Sequence, residues 1–311
     1  MLPNDFIELV KELYNFTEEE INSVFSNIKP TTFRVNTIKS STIEVLAELK
    51  KANIKVKSGP FKNSFIVLND NKQLISKTNL VNSGKIYMQE LSSMIPPIIL
   101  DPKQTDYIAD LTSAPGSKTT QICALTNNKA NILANEKSYI RFQKLKFNLN
   151  LQGCTNVKTT NLNAIDLPKK YKEFENFFDK ILLDTPCSSE GRFNINKPKS
   201  YKYWNKNKIR EMVNIQRALL GTAVKMLKPG GTLVYSTCTI NVFENEENIN
   251  WALQKYKNIK LLPININLKN VSKGFTKYND TVYKNQLINT LRVLPNNNFG
   301  AFFIAKLTKQ Q

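Results

Sequence analysis

Two cysteines and an aspartate carry the most chemical promise in this sequence. Cys187 closes the string Asp184-Thr-Pro-Cys187, and Cys238 closes Ser236-Thr-Cys238. Each follows a short apolar run with strand character, and an ionised thiol is a strong nucleophile. The 311 residues include no histidine. That removes Ser-His-Asp and Cys-His catalysis, and zinc sites with histidine ligands. Any general base must be a carboxylate, a thiolate, a lysine or water. No metal is expected. Cys123 and Cys154 lie inside or just after helical segments and read as core thiols.

A particular set of elements must bring these groups together. From residue 107 onward, short apolar strands alternate with helical segments, the pattern of a parallel βαβ sheet. Strands are expected at 107–111, 130–134, 156–160, 179–184 and 232–236. Helices are expected from Lys118, over 138–151, over 208–227 and over 243–256. A final strand at 302–306 reads as an edge. The segment 1–80 looks like a small α/β unit. Helices are expected at 5–14, after the capping-box pattern at Thr17, and at 41–52, with strands at 32–35 and 64–68. The expected architecture is α/β: a Rossmann-like sheet over residues 81–311 behind an accessory N-terminal domain at 1–80.

In such sheets, ligands sit beyond the carboxyl ends of the strands. Three features fall there. The turn from Thr112 through Ser113, Ala114, Pro115, Gly116 and Ser117 to Lys118 is made of small residues, and the helix after it presents free N–H groups. Glu136 follows the second strand, where an acid accepts hydrogen bonds from ribose hydroxyls. Asn163 follows the third strand and can pair with an adenine edge. In register along one sheet, they favour a nucleoside-containing cofactor. A P-loop is the rival, but its two glycine positions are held by Thr112 and Ser117.

Together these strings resemble the two-cysteine RNA (cytosine-5)-methyltransferases, a family that includes bacterial ribosomal RNA enzymes and Sun-type proteins. The likeness runs from Arg34-Val-Asn-Thr37, through Gly84 to Met94 and Ser113 to Lys118, to both cysteine motifs. It continues in Glu244-Asn-Glu246, Arg292, Pro295 and Phe302-Phe303. The resemblance implies S-adenosylmethionine as cofactor, held by residues 112–118, Glu136, Arg141, Asn163 and Asp184. It implies Cys238 as the nucleophile, Cys187 as the thiol that assists release, and Asp184 on the cytosine N3/N4 edge. Lys118 is a candidate for activating the thiol or placing the base. The family usually has aspartate where this chain has Asn163, so weaker cofactor binding is expected. The string Ile132 to Glu136 looks more like ribosomal members, with transfer RNA as the alternative substrate. A non-catalytic RNA-binding ribosome-assembly factor is the rival from another class.

Charge supports an RNA partner. The chain carries 44 Lys and Arg against 25 Asp and Glu. Residues 1–80 hold 11 basic and 9 acidic groups, so nearly all the excess lies in the catalytic part. Arg192, Lys197, Lys199 and Lys202 follow the Cys187 motif, interleaved with Tyr201, Tyr203 and Trp204 and with no acid among them. Cations neutralise phosphates while aromatic faces stack on unpaired bases. No apolar run is long enough to span a bilayer, and residues 1–5 show no leader pattern. A cytoplasmic monomer without membrane attachment is expected.

Overall fold

The computed structural model describes residues 1–68 and 72–311. Its larger sheet has nine strands. Five are parallel, in the spatial order Val157–Thr160, Asn131–Asn135, Tyr107–Asp110, Phe178–Asp184, Leu227–Thr237. The strand order reverses between Tyr107–Asp110 and Phe178–Asp184, so a crevice opens beyond their carboxyl ends. Asp110 and Asp184 are the last residues of those two strands.

Phe302–Lys309 is not an edge. It runs antiparallel to Leu227–Thr237 on one side, and Leu291–Val293 and Ile259–Leu262 pair with its other side. The physical reason lies in its own sequence: Phe302, Phe303, Ile304 and Ala305 are apolar in succession and all buried. A strand covered on both faces reads this way, whereas an edge strand keeps polar residues on one face.

Helices cover both faces of the sheet. Lys206–Met226 and Glu246–Lys255 bury Leu219, Leu220, Ala223, Ile249 and Leu253 in one core layer with Ile181, Leu183 and Leu233. Leu91–Leu100 and Ser117–Leu125 contribute Met94, Ile95 and Ile122 to the layer opposite, against Ile108, Leu182 and Val234.

The segment 1–80 does not form one packing unit. The helices Asn4–Tyr14 and Glu18–Ser26 put Phe6 and Phe25 against Phe193, Tyr201, Ile240 and Ala301 of the part that builds the larger sheet. The second of them starts at the capping box of Thr17 and Glu20. The small antiparallel sheet is separate. It comprises Val56–Ser58, Ser64–Val67, Thr32–Val35 and Ile86–Met88, and its last strand lies beyond residue 80. Arg34 ties this sheet to the large one. Its Nε donates to Gln89 at 2.8 Å, and its Nη2 donates to the Thr120 hydroxyl at 2.6 Å on helix Ser117–Leu125. Among the described residues, no helix is long and apolar enough to cross a membrane.

Candidate active site

The crevice at the strand reversal is a cavity of about 780 Å³. Its walls bring together residues 112–115, Ser117, Lys118, Glu136, Arg141, Asn163, Asp184, Cys187, Arg192 and Cys238. Of the expected cofactor residues, only Gly116 is not on the wall. It shapes the turn instead, with φ +107° at the N-cap of Ser117–Leu125. Side chains rarely adopt that backbone. A Cβ there would also lie 3.2 Å from Leu145 Cδ1.

The end of the cavity lined by the Thr112–Lys118 turn is pre-set by hydrogen bonds. Ser113 N donates to the Asn135 carbonyl at 2.8 Å, fixing the turn to the neighbouring strand. Arg141 Nη2 donates to the Ala114 carbonyl at 2.6 Å, and its Nη1 lies 3.6 Å from Glu136 Oε2. Glu136 is buried and accepts from the Ser138 amide at 2.8 Å, leaving its other oxygen toward the cavity wall it shares with Arg141. Asn163 caps a short 3-10 turn by accepting from Ile165 N at 3.4 Å. Asp110 is an added acid on this wall. It accepts from the Thr119 hydroxyl at 2.7 Å, and burial raises its carboxyl to about 6.

The reactive end holds the two thiols. Cys187 Sγ and Cys238 Sγ are 3.4 Å apart, and both face Ser189 Oγ. Their environments differ. Cys238 is lowered to about 6, first by hydrogen bonding to Cys187 and then by the charge of Arg192, against the effect of burial. Cys187 is raised well above the ordinary thiol, first by its hydrogen bond with Cys238, then by burial and by the nearby charges of Cys238 and Glu244. The two shifts run in opposite directions, favouring ionisation of Cys238 ahead of Cys187. The cation whose charge lowers Cys238 is Arg192, which the sequence places only on an RNA surface.

Lys118 does something else. It is buried and donates to Asp184 Oδ2 at 2.6 Å and to Ser93 Oγ at 2.8 Å. Ser236 Oγ donates to Asp184 Oδ1 at 2.7 Å. Asp184 is thus held and oriented at the cavity wall. A cation hydrogen-bonded to a carboxylate in this way is committed to a fixed pair and is not offered to a thiol.

A buried carboxylate scaffold holds the two cysteine loops together. Glu190 accepts from the Thr239 hydroxyl, from Ile240 N at 3.1 Å and from Trp204 Nε1 at 2.7 Å. Glu244 accepts from Ser188 N at 3.1 Å and from Gln216 Nε2 at 2.7 Å. Burial, then the Glu190 charge, raises Glu244 to about 8. Glu246 pairs with Arg292, whose Nε donates at 2.6 Å, and both are fully buried. Gly191 N donates to the Cys238 carbonyl at 2.9 Å. Nothing in local sequence singles out Glu190 or Ser189, because their partners Thr239, Ile240 and Cys238 stand on the other cysteine loop, far along the chain.

The expected RNA-binding segment divides. Arg192, Lys197, Lys199, Lys202 and Tyr203 are exposed. Tyr201 is only 8% exposed and packs in the cluster with Phe6 and Phe193. Trp204 is half-buried, its N–H held by Glu190 and its ring edge-on to Phe6 at 5.9 Å. These two rings anchor the N-terminal helices and are not free to stack on bases, a correction to the sequence reading.

A family model for "16S rRNA methyltransferase RsmB/F" matches residues 97–308, the stretch that builds the large sheet and both cysteine loops. The chain belongs to the RsmB/F methyltransferase family. It is 36% identical over 305 residues to the tRNA (cytosine(49)-C(5))-methyltransferase of Pyrococcus abyssi, covering 94% of this chain and 92% of that protein. It is 35% identical over 285 residues to the ribosomal RNA small subunit methyltransferase F of Escherichia coli O81, covering 89% of this chain and 57% of that one. The RsmB/F chain thus spans about half the length of its bacterial ribosomal relatives and nearly all of the archaeal one. In structure it resembles a methyltransferase homolog from Pyrococcus horikoshii, with TM-score 0.84, 32% identity and coverage of 99% and 95%. It also resembles NSun6 from the same organism, solved with SFG, with TM-score 0.80, 25% identity and coverage of 99% and 98%.

Proposed function

We infer that this protein transfers a methyl group from S-adenosylmethionine to C5 of a cytosine in structured RNA, through a covalent bond between Cys238 and C6. The observation that carries this reading is the thiol pair at 3.4 Å opening into the cavity that also holds Glu136, Asn163 and the Thr112–Lys118 turn. When bound, the cofactor supplies an electrophilic methyl group. Among the described residues there is no cluster of three or more metal-ligating His, Cys, Asp or Glu.

Cytosine C5 is a weak nucleophile until a thiolate adds to C6. Cys238, kept ionised by Cys187 and Arg192, makes that bond. The electrons shift through C5 and C4 to the ring N3, which takes a proton from solvent, and the Asp184 carboxylate accepts hydrogen bonds from N3–H and the N4 amino group. Asp184 is suited to this because Lys118 and Ser236 fix both its oxygens. C5 then takes the methyl group. Loss of the C5 proton to water re-forms the C5–C6 double bond and expels the Cys238 thiolate, and N3 returns its proton to solvent. Cys187 assists that release by hydrogen bonding to the departing sulfur. Arg141 and Glu136 hold the ribose end, with Asn163 at the adenine edge.

The N-terminal segment 1–80 and the exposed basic residues of 192–202 would contact RNA around the site, in the cytoplasm. The greater coverage of the archaeal tRNA enzyme favours transfer RNA as a second reading of the substrate, beside ribosomal RNA. The test is incubation with methyl-labelled S-adenosylmethionine and either a small-subunit ribosomal RNA transcript or bulk transfer RNA. Labelled 5-methylcytosine with the native protein and none with Cys238→Ala supports the reading. Binding of both RNAs with no 5-methylcytosine in either would leave a non-catalytic assembly factor.

A further inference from the structure

The helix Tyr139–Leu151 is apolar on two sides. Its inner side buries Leu145 and Leu149 against Ala114 and Ala134, beneath the cofactor turn. Its outer side leaves Tyr139 66%, Ile140 72% and Phe147 66% exposed. At about 100° per residue, Tyr139, Gln143, Phe147 and Asn150 fall on one stripe, flanked by Ile140, Lys144 and Lys146. A solvated helix face normally carries charged and polar residues. Large rings left in water on such a face mark a surface that takes a partner.

The charge of this face says which partner. From Lys137 to Ile165 the chain has no acidic residue, while Lys137, Arg141, Lys144 and Lys146 all fall on or beside the helix and are exposed. The nearest acid, Glu136, is buried and held by the Ser138 amide. Cations interleaved with exposed rings match a phosphate backbone with unstacked bases, and an acid-free face suits few protein surfaces. The helix also starts at the site itself: Lys137, Ser138 and Arg141 line the cavity that holds Cys238. Its 13 residues run about 20 Å away from that rim. Arg192 stands on the wall of the same cavity, beside the thiols.

We propose that the outer face of helix Tyr139–Leu151 binds an unpaired segment of the substrate RNA next to the target cytosine, with Tyr139 and Phe147 stacking on bases and Lys144 and Lys146 on phosphates. This rests on the RNA methyltransferase reading above. It assigns the strand two flanking supports, this helix and the exposed basic residues after Cys187, with the target base between them.

The test uses the full chain and two double variants, Lys144→Glu/Lys146→Glu and Tyr139→Ala/Phe147→Ala. The probes are a fluorescent pyrimidine 12-mer for binding and whichever RNA the native protein methylates. Loss of two phosphate contacts lowers the slope of log affinity against log salt by about 1.4, at ~0.7 per contact on single strands. The charge variant should therefore bind the 12-mer at least about 10-fold more weakly at low salt, with a shallower slope. The ring variant should lose about 5-fold or more per ring with the slope kept. In both, KM for RNA rises while kcat at saturating RNA and S-adenosylmethionine binding hold, which shows the fold is intact. Unchanged 12-mer affinity and slope in both variants overturn the proposal, as does a native dimer in sedimentation that Phe147→Asp dissociates. Because the 12-mer reports binding alone, failure of the native protein to methylate RNA would sink the enzymatic reading separately.

Discussion

Replacing Cys187 by alanine should raise the midpoint at which Cys238 becomes reactive. The perturbation removes a thiol 3.4 Å from the Cys238 sulfur, the hydrogen-bonding partner that lowers it most, and leaves Arg192 in place. A hydrogen bond to a charged group contributes about 1.5–3 kcal/mol, and one pKa unit corresponds to about 1.4 kcal/mol. The midpoint should then move from about 6 to roughly 7–8. The sign follows from which form gains: Cys187 stabilises the thiolate, so its loss favours the thiol and reactivity appears at higher pH. At pH 6 the ionised fraction falls from about one half to between roughly one tenth and one hundredth. Alkylation of Cys238 by iodoacetamide should slow about 5- to 50-fold at that pH. Above pH 9 the two proteins should converge, with the variant equal or faster, because a thiolate of higher pKa is the better nucleophile. The assay is site-resolved mass spectrometry of alkylation rate against pH. A variant midpoint still near 6 would refute the hydrogen bond as the cause. A native protein that alkylates first at Cys187 would refute the assignment of the thiolate itself.

Three further outcomes follow from the site's scaffold. Gly191→Ala should abolish methyl transfer while cofactor binding persists, because a Cβ there meets the Ala301 carbonyl oxygen and lies 3.0 Å from that of Cys238; enzyme assay with parallel calorimetry reads both. Arg292→Met should destabilise the protein by about 3–5 kcal/mol by leaving Glu246 buried and unpaired, and adding Glu246→Leu should recover part of that loss; urea titration of the single and double variants is the check. Asn163→Asp should tighten S-adenosylmethionine binding several-fold, since a carboxylate accepts from an adenine amino group more strongly than an amide does; an unchanged or weaker dissociation constant would contradict it.

The chemistry is more legible in the sequence than its setting. Cys187, Cys238, Asp184, Glu136 and the 112–118 turn stand at strand ends, and strand ends follow from short apolar runs and the turns after them. Boundaries such as Thr32–Val35 and the helix ending at Leu151 follow from alternation and from Gly153. What sequence reasoning misses depends on residues far apart in the chain. Phe302–Lys309 looks peripheral because its partners Leu291–Val293 and Ile259–Leu262 are short and weakly patterned. Tyr201 and Trp204 look like a stacking surface because nothing local shows that Phe6 and Glu190 hold Trp204, or that Tyr201 packs into the cluster under the N-terminal helices. Arg192, and not Lys118, stands by the thiols for the same reason: each cation's partner is set by the strand reversal, which places Asp184 beside Lys118 and the thiols beside Arg192.

The most direct test of the account is capture of the covalent intermediate. Cys187→Ala, incubated with S-adenosylmethionine and a methylatable RNA, should accumulate a complex that survives denaturing electrophoresis, and peptide mapping should place the RNA on Cys238. Cys187→Ala/Cys238→Ala should form none. RNA found on any other residue, or an adduct that persists in the double variant, would contradict the assignment of Cys238 as the nucleophile.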